Sequence, residues 1–246
     1  MCICSSAWPS WRAASGTSSR ERGRPRPLFL SLNAGGDARG PRMMTHDPAT
    51  LEFYAREAAA YGARSDGIGV SKALGAFLAL LPKGGKVLDL GCGTGRDTQA
   101  ILAAGFDVTA IDGSAEMAAE ARKRTGLPVL VMLFEELSFD REFDGVWASA
   151  SLLHVPRAGL PDVLRRVHTA LKPGGWLEAG FKSGGHEGRD SLGRYYNYMN
   201  PEQLEPMLRA AGRWSSLELR TGRGKGYDGT ETGWVEVLAR KSADAG

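Results

Sequence analysis

A chain of 246 residues with 42% hydrophobic and 24% charged residues suits one α/β domain with appendages. No apolar run approaches the roughly 18 residues that a membrane-spanning helix needs. The net charge is +3, but residues 1–43 hold seven Arg and no Lys against Glu21 and Asp37, a net +5, so the remainder carries −2 and argues against a nucleic-acid partner. Cysteines 2, 4 and 92 form no CxxC pair and no metal-ligand set, which predicts a reducing, cytoplasmic setting and no metal.

Residues 1–43 are rich in Ser, Arg, Gly and Pro and lack periodicity, so they cannot bury enough surface to offset the entropy of ordering and are expected to form a disordered extension. Their one apolar island, LFLSL, is shorter than the roughly 7 to 15 residues of a signal-peptide core. An over-extended start with the true one at Met43 or Met44, a genuine tail, and an Arg/Ser-rich transit peptide all stay open. From Met44 the texture changes. PATLEFYAREAAAYG is Ala-rich with Pro48 near its first turn, and VSKALGAFLALL places Val70, Ala73, Leu74, Phe77, Leu78 and Leu81 at helical spacing before Pro82.

A rhythm of strands and helices follows. KVLDL (86–90) leads through a glycine turn to a helix over Thr94–Ala104, and FDVTAI (106–111) precedes a helix over Ser114–Arg124 that Ser114 can cap. PVLVML (128–133), FDGVWAS (143–149), a helix over Leu160–Leu171 and GWLEAGF (175–181) continue the pattern. Near-continuous apolar strands alternating with helices predict a parallel sheet covered on both faces. Asn200-Pro201-Glu202-Gln203 has the order of an N-cap, N1 proline and N3 glutamine, starting a helix that ends near Gly212. WSSLELR and TGWVEVLAR then read as a closing hairpin.

The turn Gly91-Cys92-Gly93-Thr94-Gly95 asks which nucleotide it holds. A P-loop needs Lys-Ser/Thr after its last glycine, and Arg96-Asp97 stands there. A dinucleotide site wants GxGxxG, whereas the chain has GxGxG with Arg96 at the third-glycine place, and Asp89 adds negative charge that a pyrophosphate would not welcome. A cationic ammonium or sulfonium centre tolerates that acid. Asp112, about twenty residues on, can accept from ribose hydroxyls in either nucleotide class.

Together, VLDLGCGTG, the acid in AIDGS, FDGVWASASLLHV and LKPGGWLEAGF resemble, in order and spacing, the motifs of class I S-adenosylmethionine-dependent methyltransferases, strongly over residues 85–182. The resemblance implies a Rossmann-like α/β fold with a seven-stranded, mostly parallel sheet, order 3-2-1-4-5-7-6 with strand 7 antiparallel and helices on both faces. It implies S-adenosyl-L-methionine as cofactor, a core over residues 85–241, and N-terminal helices over 44–84 that cover the active site. Asp89, Gly91 and Gly93 would surround the methionine moiety, with Cys92 and Gly95 of the same turn and Ser149 after strand 4 also in the cofactor set. Asp112 would bind ribose. The family often has an Asp at the end of strand 3; this chain has Leu133, which leaves adenine to main chain near Phe134 and the side chain of Glu135.

On the acceptor side, His154 in SASLLHV can orient an acceptor or act as a base, or else pack the sheet edge. His186 in KSGGHEGRD is the second candidate, and Tyr195 in GRYYNYMN, with Arg194, Tyr196 and Tyr198, could close over the acceptor. His168 sits in an amphipathic helix and is expected at the surface. The acceptor is expected to be a small molecule. An RNA- or protein-directed methyltransferase and a non-catalytic partner subunit of the same fold are the alternatives. The N-terminal helices and FDREFD look similar to the tellurite-resistance and thiol methyltransferase branch.

Overall fold

The computed structural model describes residues 46–65, 71–227 and 229–243. The extension over 1–43, the alternative starts at Met43 and Met44, and Val70 lie outside the described residues. Helix α1 (Pro48–Ser65) begins where Asp47 caps it, its carboxylate accepting from the Thr50 amide at 2.8 Å and from the Thr50 hydroxyl at 2.7 Å. Helix α2 (Lys72–Leu78) is capped by the Ser71 hydroxyl, which accepts from the Leu74 amide.

The alternation that follows is β1 (Lys86–Leu90), α3 (Arg96–Ala103), β2 (Asp107–Asp112), α4 (Ala115–Thr125), β3 (Leu130–Val131), β4 (Phe143–Ala148), α5 (Leu160–Ala170) and β5 (Leu171–Lys182). A small hairpin, β6 (Glu187–Arg189) with β7 (Tyr195–Asn197), precedes α6 (Pro201–Ala211), β8 (Trp214–Lys225) and β9 (Glu231–Lys241). The seven-stranded sheet runs β3-β2-β1-β4-β5-β9-β8. Strand β9 is antiparallel to both of its neighbours. With the small hairpin set aside, this is the order that the family resemblance implied.

Strand alternation sends side chains to two cores. Leu88, Leu90 and Val146 join Leu164, Val167 and Leu204 on the α5–α6 side, while Val87 and Trp147 meet Leu74, Phe77 and Ile101 on the α2–α3 side. Each fully buried large apolar side chain stabilises by about 1.5–3 kcal/mol relative to exposure. Three predicted strands change length, WSSLELR running on to Lys225 as β8. PVLVML shrinks to Leu130–Val131, both exposed at the sheet edge, because it pairs only with β2 and follows Pro128, which has no amide to donate. Strand β5 starts four residues earlier than expected, at Leu171, and accommodates Lys172–Gly175 by a register shift against β4. The Asn200 amide donates to Gln203 Oε1 at 3.2 Å, the reciprocal half of the expected cap.

Candidate active site

Parallel strands leave a crevice at their carboxyl ends where the strand order reverses, and here β1, β2, β4 and β5 end on one cavity, roofed by α1. The glycine turn forms one end of it. The amides of Gly91 and Cys92 both donate to the Ile111 carbonyl at 3.0 and 2.9 Å, that of Gly95 to the Cys92 carbonyl, and that of Gly93 to Asp112 Oδ2 at 2.8 Å. A phosphate cradle needs free amides, and these four are spent within the protein.

The three glycines serve different ends. Gly91 has φ +78, and a Cβ there would lie 2.5 Å from the Ser151 Cβ, whose hydroxyl is itself held by the Leu90 carbonyl at 2.6 Å. Gly93, at φ +56, faces open space within the cavity wall, so a side chain there would fill room that a ligand can use. Gly95 caps the start of α3 at φ +79, and a Cβ there would lie 3.0 Å from Ala121 of α4. It is outside the cavity wall, and its small size serves helix packing.

Three acids stand along this end. Asp89 is 2% exposed and accepts from the Thr98 hydroxyl at 2.6 Å; burial, then the neighbouring Asp97, push its carboxyl up to about 7. Burial raises Asp112 to about 6, against the amide bonds from Ser114 and Gly93 that favour its charged form. Both its oxygens keep lone pairs for further donors. Asp97 accepts from the Trp147 indole at 2.9 Å and from Arg96, the residue before it on α3, at 2.7 Å. Burial, then Asp89 and Asp112, push the Cys92 thiol far above its ordinary value, so it stays protonated and packs. Cys92 and Ser149 both line the cavity.

Beyond β2, Leu133 and Phe134 line the wall and Glu135 does not. The Glu135 carboxylate is turned to His46, at 3.2 Å, where it ties the start of α1 to the loop after β3.

At the other end stands His154, half-buried in a short 3-10 turn after β4. Its Nδ1 lies 2.6 Å from the Tyr195 carbonyl, which can only accept, so Nδ1 carries the proton. Its Nε2 is then an acceptor, and the Tyr54 hydroxyl donates to it at 2.9 Å. Arg194 Nη1 donates in turn to the Tyr54 oxygen at 3.3 Å. Burial, with Arg194 and Lys182 nearby, brings His154 down to about 4 despite the Tyr195 carbonyl, so the ring is neutral at ordinary pH.

The other two acceptor-side candidates stand elsewhere. His186 is exposed and stacked on Tyr198, ring centroids 4.4 Å apart. The Tyr195 hydroxyl turns away to Glu187, while its main chain serves the site: its carbonyl holds His154 and its amide donates to Thr50 Oγ1 at 2.8 Å. His168 is half-buried against Trp214, Nε2 3.1 Å from the Arg213 carbonyl.

Tyr54, Lys182, Tyr227 and Trp234 line the cavity and were not singled out from sequence. For α1 a signal existed: Asp47, Thr50, Tyr54, Tyr61 and Ser65 recur on one helical face and all line the cavity. The Ala-rich background hid it. Besides His46 and Tyr54, the start of α1 is held over the cavity where Asp47 meets Arg189 of β6 at 2.6 Å and Thr50 meets Tyr195 of β7. Burial alone would raise the Asp47 carboxyl, but Arg189 and Thr50 hold it at about 2. Among the described residues no group of His, Cys, Asp and Glu is placed to hold a metal ion, and no helix is long and apolar enough to cross a membrane.

Residues 87–175 match the family model described as "Methyltransferase domain". A ubiquinone biosynthesis O-methyltransferase of Chromobacterium violaceum is 32% identical over 167 residues, 59% of this chain and 69% of that protein. An uncharacterized methyltransferase of Synechocystis sp. is 38% identical over 100 residues, 40% of this chain and 47% of that protein. The chain spans about half the length of several such curated relatives, 43% to 55%. Among solved structures, 1,6-didemethyltoxoflavin-N1-methyltransferase of Burkholderia thailandensis, with bound 1,6-didemethyltoxoflavin and S-adenosylhomocysteine, is 25% identical with a TM-score of 0.63, covering 83% of this chain and 93% of that one.

Proposed function

Because the chain belongs to the class I S-adenosylmethionine-dependent methyltransferases, we propose that it methylates a small molecule held in the chamber beneath α1. The observation that carries this is the roof: α1 lies over the cavity and is tied to β6, to β7 and to the loop after β3. A nucleic acid or a folded protein would have to lift those ties to place an acceptor atom beside His154. The −2 charge of the chain after residue 43 supports the same choice.

The residues fit the cofactor in kind. Asp89, with Gly91, Cys92 and Gly93 of the turn, would hold the cationic methionine end, Asp112 the ribose, and Leu133 and Phe134 the adenine, with Ser149 closing the same wall. When bound, S-adenosylmethionine supplies a methyl carbon already activated by its sulfonium. The chain's own task is then positioning and exclusion of water, which can supply most of the acceleration in an in-line transfer. The Tyr54 hydroxyl and His154 would orient the acceptor. A proton leaving the acceptor atom can pass to the Tyr54 oxygen as the Tyr54 proton passes to His154 Nε2, with Nδ1–H anchored throughout on the Tyr195 carbonyl.

The O-methyltransferase and N1-methyltransferase relatives support a small acceptor. The likeness of the N-terminal helices to the tellurite-resistance branch stays a resemblance. The test is incubation of the full chain with methyl-labelled cofactor and a whole-cell extract separated into metabolite, protein and RNA fractions. Label is expected in a metabolite, and Asp112→Ala is expected to weaken cofactor binding at least tenfold, about 1.4 kcal/mol. Label confined to protein or RNA would reject the small-molecule acceptor.

A further inference from the structure

The two ends of the cavity differ in charge, three acids against one cation, Arg96, at the glycine turn and a lysine at the end of β5. Asp89, Asp97 and Asp112 gather at the glycine turn, on or after β1 and β2. Lys182 ends β5, and Trp234 stands directly across from it in the antiparallel register with β9. Strand spacing places these ends about 10 to 20 Å apart.

Lys182 is 6% exposed and Trp234 2%, and both line the cavity. An ammonium and an indole offer donors and no acceptor. The Trp234 Nε1–H is buried and has no hydrogen-bond partner among the described residues, which calls for an acceptor atom at this place. The Lys182 ammonium lies 3.9 Å over the Tyr196 ring, so its charge is held in the site and does not snorkel to water.

A cationic acceptor would want the aromatic faces here, but the chain's own Arg194 already occupies them. Its guanidinium, 1% exposed and paired with Asp190 at 2.6 Å, stands 4.9 Å from the Tyr227 ring centroid, 5.1 Å from Phe53 and 5.3 Å from Tyr196. Donors and positive charge are what this end offers a ligand.

We infer, resting on the small-molecule function proposed above, that the acceptor carries an anionic oxygen group, a carboxylate or an ionised hydroxyl, seated against Lys182 and Trp234. The ring-lined walls suit an aromatic-sized skeleton behind that group. The acids at the turn and the ammonium of Lys182 at the end of β5 would then sort the two ligands by charge.

The test uses the full chain saturated with S-adenosylhomocysteine and titrated by calorimetry with benzoate, benzamide and benzylamine as probes of one shape and three charges. Benzoate is expected to bind at least tenfold more tightly than benzamide, with benzylamine weakest. Lys182→Met should raise the benzoate Kd at least tenfold and Trp234→Phe about threefold, each leaving the Kd for S-adenosylhomocysteine within about twofold. Retained binding of S-adenosylhomocysteine reports that each variant is folded; if Lys182→Met is not, Trp234→Phe and the benzoate-to-benzamide ratio of the parent chain decide. Benzoate binding no tighter than benzamide, or unaffected by the folded variants, overturns the inference. A labelled metabolite whose acceptor is neutral or cationic overturns this inference alone, whereas label in RNA or protein removes the small-molecule function beneath it.

Discussion

Replacing Asp89 by Asn should stabilise the ligand-free protein at alkaline pH while weakening its hold on the cofactor. Asp89 is 2% exposed, and burial with Asp97 nearby lifts its carboxyl from 3.8 to about 7. The folded state therefore keeps a proton that the unfolded chain releases between those values. Below pH 3.8 both states are protonated and the carboxyl contributes no difference; as pH rises from 3.8 towards 7 stability is lost, and above 7, where the folded state also ionises its buried carboxyl, the loss is complete. The full penalty is 3.2 pH units at about 1.4 kcal/mol each, at most about 4 kcal/mol, of which about 3 kcal/mol falls between pH 5 and 8. Asn cannot ionise, and its carbonyl can still accept from the Thr98 hydroxyl. Urea unfolding of the ligand-free parent and Asp89→Asn proteins at pH 5 and pH 8 measures the difference. The variant should gain on the parent by up to about 3 kcal/mol over that interval, and calorimetry at pH 8 should show weaker binding of S-adenosylmethionine. A stability difference independent of pH, or a variant less stable than the parent at pH 8, would refute the argument that Asp89 is held charged at a cost for the sake of a cation.

Gly91→Ala meets both the left-handed backbone and the Ser151 Cβ at 2.5 Å, and should lose about 2–5 kcal/mol of stability in denaturant titrations. Gly93→Ala meets only the backbone cost, about 1–2 kcal/mol, yet should impair cofactor binding because its methyl projects into the open cavity; equal stability losses would contradict the distinction. Tyr54→Phe removes the donor to His154 Nε2, so turnover with the identified acceptor should fall at least tenfold while the cofactor Kd stays within about threefold. Tyr195→Phe deletes only the hydroxyl that meets Glu187 and keeps the carbonyl that holds His154, and its turnover should match the parent.

The cofactor end of the site was legible in the chain because its chemistry is local. One strand, one turn and the next strand bring Asp89, Gly91, Gly93 and Asp112 together within 24 residues, and backbone conformation alone demands glycine at φ +78 and +56. The alternation of apolar runs and helices predicted a parallel sheet covered on both faces for the same reason, since each unit reports its own period, whereas the strand order came from the family resemblance. Gly95 shows the limit of such reasoning: it satisfies the motif, but what a side chain there would strike is Ala121 of α4.

The His154 end of the cavity is made of residues far apart in sequence. Tyr54 meets His154 across 100 positions, and the β6–β7 hairpin, too short and polar to read as strands, decides that Tyr195 contributes a carbonyl and Arg194 a buried cation. Likewise, Glu135 turns to His46 because the roof helix starts there, 89 residues earlier. Residue type and local period determined what could bind the cofactor; only the packing of α1, the hairpin and β9 over the strand ends decided which side chains line the far end of the cavity, because long-range contact leaves no trace in a window of adjacent residues.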